Sequence, residues 1–136
     1  AQLESLAQLL SDLRERGYAR IVMLHHPPLP GLASKRRGLI DAPALRDILV
    51  DQGAELVLHG HNHEHMMNSL NSRFGMVHVF GVPSASLIQS KHHPLAAWNL
   101  YRIQRQGGKW LMNITTRSLD AETRAITTIA DFPLST

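Results

Sequence analysis

Histidines dominate one short stretch of this sequence, where they alternate with other residues. The stretch is residues 58–65 (LHGHNHEH), and it holds four of the nine histidines of the chain. Imidazole is a common ligand of transition metals, and a His-x-His pair on extended backbone points both rings to the same side. The spacing therefore predicts a metal site. A solvated polar loop is the alternative that the spacing leaves open.

A second histidine pair, His25-His26, stands at the end of another apolar run. Residues 19–24 (ARIVML) precede this pair and residues 54–58 (AELVL) precede the long stretch, and both runs have the composition of buried strands. Since ligands bind at the carboxyl ends of strands in open α/β sheets, two histidine groups in this position favour a shared site. We expect Gly60 to allow a tight bend directly after the second strand.

A helix between the two runs would make their strands parallel. Asp41 and Pro43 have the residue types of a helix start, and Gly53 has that of a helix end. A strand, helix and second strand in this order form a βαβ unit, whose crossover is right-handed as a rule. The carboxyl ends of both strands, and with them His25 and His61, are then predicted at one edge of a sheet.

The rest of the chain predicts one further helix and mostly antiparallel strands. Leucines at helical spacing indicate an amphipathic helix that begins near Leu3 and ends at Gly17. Two antiparallel pairs are expected, residues 66–70 with 76–82 and residues 96–105 with 109–117, the second around a Gln-Gly-Gly turn. In the second pair the side chains expected to face a core are Trp98, Leu100, Trp110 and Met112. The sequence from Leu119 onward predicts an extended tail that adds an edge strand.

Composition bounds the possible functions. The 136 residues suit one domain, and the absence of cysteine leaves imidazole, carboxylate or amide ligands for a metal. No apolar run has the roughly 20 residues of a membrane span, and no signal peptide is recognisable, so a soluble, cytoplasmic protein is expected. The net charge is +3, but only Lys35, Arg36 and Arg37 cluster, and aromatic residues are few, which argues against nucleic-acid binding.

The other histidines are not predicted to be ligands. His59 should face the opposite side of its strand, His78 lies within a strand, and His92-His93 falls in a loop. His26 is expected either to pack against Pro27 or to orient a neighbouring side chain, and His65 either to hydrogen-bond a ligand or to be exposed. Asn62 is a further candidate for orienting a ligand by a hydrogen bond.

Other classes that use paired histidines fit less well. Cupins place a glutamate several residues after the pair, whereas Glu64 here is adjacent to His63. Amidohydrolases carry the pair on the first strand of a barrel that is longer than this chain. Neither a glycine-rich phosphate loop nor a nucleophile elbow is present.

Three motifs together resemble the calcineurin-like metallophosphoesterases, close to bacterial cyclic-nucleotide-phosphodiesterase-like members. They are LHHPP at residues 24–28, LHGHNH at residues 58–63 and GVPSA at residues 81–85. The resemblance implies the carboxyl-terminal half of a four-layer αββα sandwich, in which two divalent metals (Mn, Fe or Zn) catalyse the hydrolysis of phosphoric mono- or diesters. By motif position, it implies that His25 and His61 bind one metal and His63 the other.

The amino-terminal motifs of this family are absent. They are Asp-x-His, Gly-Asp and Gly-Asn-His-Asp/Glu, and they supply the bridging aspartate and the remaining ligands. The chain therefore resembles a partial domain over residues 1–136, with no catalytic residue assigned. It is expected to be an enzyme as an intact domain and inactive in isolation. The alternative is a non-catalytic metal-binding or interaction module that retains half of the fold.

The same resemblance implies the expected partners. A small phosphate ester is the expected substrate, and the loop of residues 29–39, with Lys35, Arg36 and Arg37, either shapes its binding or is a solvated turn. Loss of half a domain should expose one apolar face of the strands at residues 21–24 and 55–58. We therefore expect that face to be covered by a second copy of the chain or by a supplied amino-terminal half. The identity of the metal stays open.

Overall fold

Two helices and seven strands make up the computed structural model, which describes residues 1–34, 36–88 and 91–134. In chain order they are α1 (Gln2–Glu15), β1 (Ile21–Leu24), α2 (Ala42–Gln52), β2 (Leu56–His59), β3 (Met66–Ser72), β4 (Gly75–Gly81), β5 (Ala97–Gln106), β6 (Lys109–Leu119) and β7 (Ile126–Leu134). The predicted elements are thus confirmed with small shifts of their ends.

The strands form two sheets. The first has the order β1-β2-β4-β3, with β1, β2 and β4 parallel and β3 antiparallel to β4. The second is the antiparallel sheet β5-β6-β7, in which the tail supplies the edge strand β7. The parallel pair β1-β2 and both antiparallel pairs confirm the topology expected from the sequence.

Helix starts and ends follow the expected residues, with one difference. Gly17 follows α1 with a positive φ of 72°, and Gly53 ends α2 with a φ of 68°, a region of backbone conformation that favours glycine. Asp41 occupies the position before α2 but makes no side-chain hydrogen bond to the helix. The expected cap is therefore wrong in its chemistry, although α2 begins directly after Asp41.

Two apolar cores divide the molecule into three layers. The first core joins both helices to the first sheet, with Leu10, Leu49 and Val57 among its buried members. The second core lies between the two sheets and includes Leu56 and Ile114. The described residues therefore form α, β and β layers, a mixed α/β arrangement consistent with part of an α/β metallophosphoesterase fold.

The second sheet changes which apolar surface is exposed. Leu56 and Val57 of β2 are both fully buried, because helices cover one face of β2 and β6 covers the other. The expectation that a whole face of β1 and β2 is bare is therefore wrong for β2. Exposure is confined to the edge strand β1, where Ile21 is 47% and Met23 77% exposed.

The side chains of the β5-β6 hairpin that are buried in a core differ from those expected. Met112 is buried in the core between the sheets, but Trp98 and Leu100 are 38% and 39% exposed. Tyr101 takes their expected place, with its ring centroid 5.8 Å from that of Phe80 across the sheets. Burial raises the pKa of Tyr101 to about 12, although a hydrogen bond with Asn99 opposes the shift.

In the described part of the chain, neither helix has the length and apolar character needed to cross a membrane.

Candidate metal centre

Three parallel strands end side by side at one edge of the first sheet. Leu24 at the end of β1 pairs with His59 at the end of β2, and His59 pairs with Gly81 at the end of β4. The loops that follow these strands therefore start from neighbouring positions. They carry the His25-His26 pair, the long histidine stretch and the His92-His93 pair.

His25, His26 and His61 converge at this edge. Their nearest ring nitrogens all lie within 4.8 Å of one another, and the Nδ1 of His61 is 3.4 Å from the Nε2 of His25. Two imidazole nitrogens bound at 2.0–2.1 Å to one tetrahedral metal lie about 3.4 Å apart. The spacing of these two nitrogens therefore fits a shared metal without a large rearrangement.

The three rings also contact one another in pairs. The centroids of His26 and His61 are 4.5 Å apart, those of His25 and His26 4.9 Å, and those of His25 and His61 5.3 Å. His26 thus belongs to the group as fully as the other two. Its position differs from the outlying, orienting role expected from the sequence.

The backbone between β2 and β3 holds the first two histidine loops together. The amide of Gly60 donates a hydrogen bond of 3.0 Å to the carbonyl oxygen of His25. The positive φ values of this bend belong to His61 (69°) and His63 (56°) rather than to Gly60. The chain does bend directly after β2, as expected, but two non-glycine residues take the left-handed conformation there. This conformation costs energy and is enriched at functional sites.

This bend separates His63 from the other three rings. Alternation of side chains requires extended backbone, and residues 60–65 are not a strand, so the expected parallel projection of His61 and His63 is wrong. The ring of His63 instead contacts that of His93, with centroids 5.8 Å apart. His63 lies in the same loop as His61 but outside the cluster of ring nitrogens.

Asn62 connects the histidine stretch to the loop after β1. Its side-chain amide donates a 2.7 Å hydrogen bond to the carbonyl oxygen of Leu32, and its Nδ2 lies 3.1 Å from the Sδ of Met66. Asn62 therefore links the two loops directly through its side chain.

The basic loop lies beside the cluster. Arg36 and Arg37 are exposed, while Lys35 lies outside the described residues. The pKa of His61 is lowered from its usual value by partial burial first, and then by the nearby positive charges of His26, His25, Arg37 and His63. Arg37 is thus close enough to influence the electrostatics of the cluster. His61 remains neutral, and able to bind a metal, to lower pH than an ordinary histidine.

His59 and His65 flank the cluster without joining it. His59 is 5% exposed, with its Nδ1 3.1 Å from the carbonyl oxygen of Gly60 and its Nε2 without a hydrogen-bond partner among the described residues. Burial lowers the pKa of His59, and the contact with the carbonyl of Gly60 opposes the shift. A side chain at Gly81 would meet the His59 ring at 2.6 Å, so glycine is required opposite it. His65 is exposed.

Two comparisons with known proteins bear on this cluster. The family model described as calcineurin-like phosphoesterase matches residues 2–65, a segment that contains α1, β1, α2, β2 and the histidine cluster. No curated protein matched the chain. The family match supports a metal-dependent phosphoesterase kind of function, and the three converging histidines supply ligands suited to a divalent metal. Residues 2–65 are thus similar to the calcineurin-like phosphoesterase family, which is consistent with a partial metallophosphoesterase domain.

Proposed function

We propose that this chain carries the histidine part of a two-metal centre that hydrolyses phosphoric mono- or diesters. The convergence of His25, His26 and His61 at the carboxyl edge of a parallel sheet is the observation that carries the proposal. The family match over the same segment supports the reaction class.

The residues have separate tasks in this proposal. His25 and His61 would hold one divalent metal, with His26 as the third imidazole of that cluster, and His63 would be a ligand of the second metal. Divalent metals in such a centre act as Lewis acids on the phosphoryl group and make a water nucleophilic at neutral pH. Manganese, iron and zinc all suit imidazole ligands.

The chain's own residues bind and position the ester. The exposed guanidinium groups of Arg36 and Arg37 attract its negative charge and can pair with two phosphoryl oxygens. Asn62 holds the loop that carries these arginines against the histidine stretch through its bond to Leu32. A small phosphate ester is the substrate class that this arrangement supports.

Carboxylate ligands are the part of the centre that this cluster lacks. Of the described residues, only histidines join the group, although aspartate and glutamate oxygens would have counted equally as ligands. Three neutral imidazoles do not offset the charge of two divalent ions or bridge them. The proposal therefore assigns full activity to a domain in which another segment supplies aspartates.

A hydrolysis assay tests whether activity requires a segment that supplies aspartates. The chain alone, with manganese or zinc added, should give no hydrolysis of bis(4-nitrophenyl) phosphate above the metal-only rate. Co-expression with a calcineurin-like amino-terminal segment that carries Asp-x-His and Gly-Asp motifs should produce turnover, and His61→Ala should abolish it. The matched control is His92→Ala, which should retain turnover. Unaided turnover by the chain would contradict the proposal.

The second candidate function is a metal-binding or interaction module without catalysis. The absence of carboxylates from the described histidine cluster favours it. It predicts metal binding with the same dependence on His61, but no turnover with any added segment. The co-expression assay therefore separates the two candidates.

The exposed edge strand favours association through β1. Ile21 and Met23 present apolar side chains next to an edge that no described strand pairs with, and such edges readily accept another strand. We propose that a second copy, or the segment that supplies the aspartates, covers this strand.

Sedimentation should show the purified chain as a dimer at micromolar concentration. Met23→Lys should shift it toward monomer, because a charge would have to be buried in the contact. Ile40→Lys is the matched control, since Ile40 is 94% exposed in a loop and its replacement should leave the dimer intact. A monomeric wild-type chain that remains monomeric with the added segment would contradict association through β1.

A further inference from the structure

A cavity lies at the end of the first sheet opposite to the histidine cluster. It opens where β1 and β2 begin, and it is lined there by Arg20 and Glu55, which directly precede these strands, and by Met76 of β4. The turn of the β5-β6 hairpin, including Gly108 and Lys109, lines its other side. Its volume of about 450 Å³ is in the range of small-molecule sites.

Positive charge is in excess around this cavity. Arg20 is already neutralised, since Glu55 accepts hydrogen bonds of 3.0 Å and 2.7 Å from its guanidinium. Within the part of the chain that the structure describes, Arg14 donates hydrogen bonds only to neutral groups, the hydroxyl of Ser11 and a backbone carbonyl. No ion pair within the described ranges involves Arg14, Arg105 or Lys109, all of which line the cavity. Three uncompensated cations around one small volume favour an anion.

Aromatic rings stand among these cations. The guanidinium of Arg14 lies 3.8 Å from the centroid of Phe74, and that of Arg105 lies 5.7 Å from the centroid of Trp110. Such stacking restricts a guanidinium that would otherwise sample many rotamers. The lining therefore offers flat apolar surface together with preorganised hydrogen-bond donors, two features typical of sites for ring-bearing ligands.

Arg105 reaches across from the hairpin to the turn after α1. Its Nη1 is 3.5 Å from the carbonyl oxygen of Gly17, and a Cβ at Gly17 would lie 3.0 Å from the same nitrogen. The long contact leaves most of the donors of Arg105 for other partners, since a guanidinium has five N–H groups. A purely structural role for Arg105 would explain this contact, but it would not explain Lys109 and Arg14 at the same cavity.

We propose that this cavity is a second binding site, independent of the histidine cluster, for a small organic anion that carries a planar ring. The anionic group would contact Arg105 and Lys109, and the ring would pack against Trp110. The site is separated from the histidine cluster by the length of the parallel strands, so it is distinct from the site proposed for the phosphate ester.

The probe that tests this site is 2-naphthalenesulfonate, which cannot be hydrolysed and is not a phosphate. Titration into metal-free Trp98→Phe protein should change the fluorescence of Trp110, the remaining tryptophan, and reach saturation. Lys109→Gln and Arg105→Gln should each weaken binding about tenfold, because each removes a charge-assisted hydrogen bond. Lys91→Gln, an exposed lysine in another loop, is the matched control and should not change the affinity.

Two further ligands distinguish the contribution of the charge to binding from the contribution of the ring. Methanesulfonate should bind more weakly than the probe because it lacks the ring, and 2-naphthalenemethanol should bind more weakly because it lacks the charge. His61→Ala should leave the affinity for the probe unchanged. The proposal is overturned if the probe shows no saturable binding, if Lys109→Gln binds it as tightly as the wild type, or if the neutral alcohol binds equally well. A lower melting temperature of Arg105→Gln with unchanged probe affinity would assign Arg105 to structure and also overturn its place in the site.

Discussion

Replacing His61 with alanine should lower the affinity of the chain for zinc on the order of 100-fold, because His61 is one of the three imidazoles proposed to bind the metal. His61 contacts the rings of both His25 and His26, so its loss leaves two imidazoles without the shared third nitrogen. Isothermal titration calorimetry at neutral pH measures the change, with the proton release on binding as a second readout.

The control for this experiment is His92→Ala, which removes a histidine that lies outside the cluster. Its zinc affinity should stay within about threefold of the wild type, less than the 10-fold minimum typical of residues that support a metal site. Equal losses in the two variants would mean that zinc binds diffusely to surface histidines. An unchanged affinity of His61→Ala would contradict the cluster directly.

Replacing Glu55 with glutamine should reduce the free energy of unfolding by about 3 kcal/mol, because it leaves the charge of Arg20 buried without its partner. Arg20 is 4% exposed and Glu55 15%, and one Glu55 oxygen also accepts a 2.6 Å hydrogen bond from the backbone amide of Arg20. The glutamine retains the size of the side chain, so packing is little altered. Equilibrium unfolding in urea measures the difference.

An exposed ion pair provides the matched comparison. Arg46 and Asp47 are 53% and 70% exposed and 3.1 Å apart. Asp47→Asn should change the free energy of unfolding by less than about 1 kcal/mol, since exposed pairs contribute little. A loss in Glu55→Gln no larger than that in Asp47→Asn would show that burial does not strengthen the Arg20–Glu55 interaction.

Local patterns in the sequence were sufficient to predict the helices and strands, the βαβ unit and the antiparallel pairs. The βαβ unit was predictable because apolar runs of strand length flank a helix with recognisable ends, and the hairpin because two glycines fill its turn at Gly107 and Gly108. The shared edge of His25 and His61 followed from parallel strand direction alone.

Packing between the sheets could not be inferred in the same way. Alternation assigns side chains to two faces but does not say which face is covered. Trp98 and Leu100 therefore appeared as core candidates although both are substantially exposed, and β2 appeared bare on one face although β6 covers it. These outcomes depend on contacts between segments that are distant in the chain.

At the candidate site, too, part of the arrangement was predictable from the sequence and part was not. His63 lies outside the cluster, in a loop that turns through left-handed conformations at His61 and His63. His26, which follows β1, lies inside it with its ring against that of His61. Histidine is among the residues that tolerate a positive φ, but nothing in the local sequence requires one at these two positions. The sequence feature that could have identified His26 as a member of the cluster was the His25-His26 pair before Pro27, since both residues follow the end of the same strand.

The most direct test of the metal site is a crystal structure of the zinc-loaded chain with anomalous diffraction data collected at the zinc absorption edge. We predict an anomalous peak among His25, His26 and His61, at about 2.0–2.1 Å from the nitrogens of His25 and His61. Zinc found only at other histidines, or an empty cluster in crystals that bind zinc elsewhere, would contradict the assignment of this cluster as the metal centre.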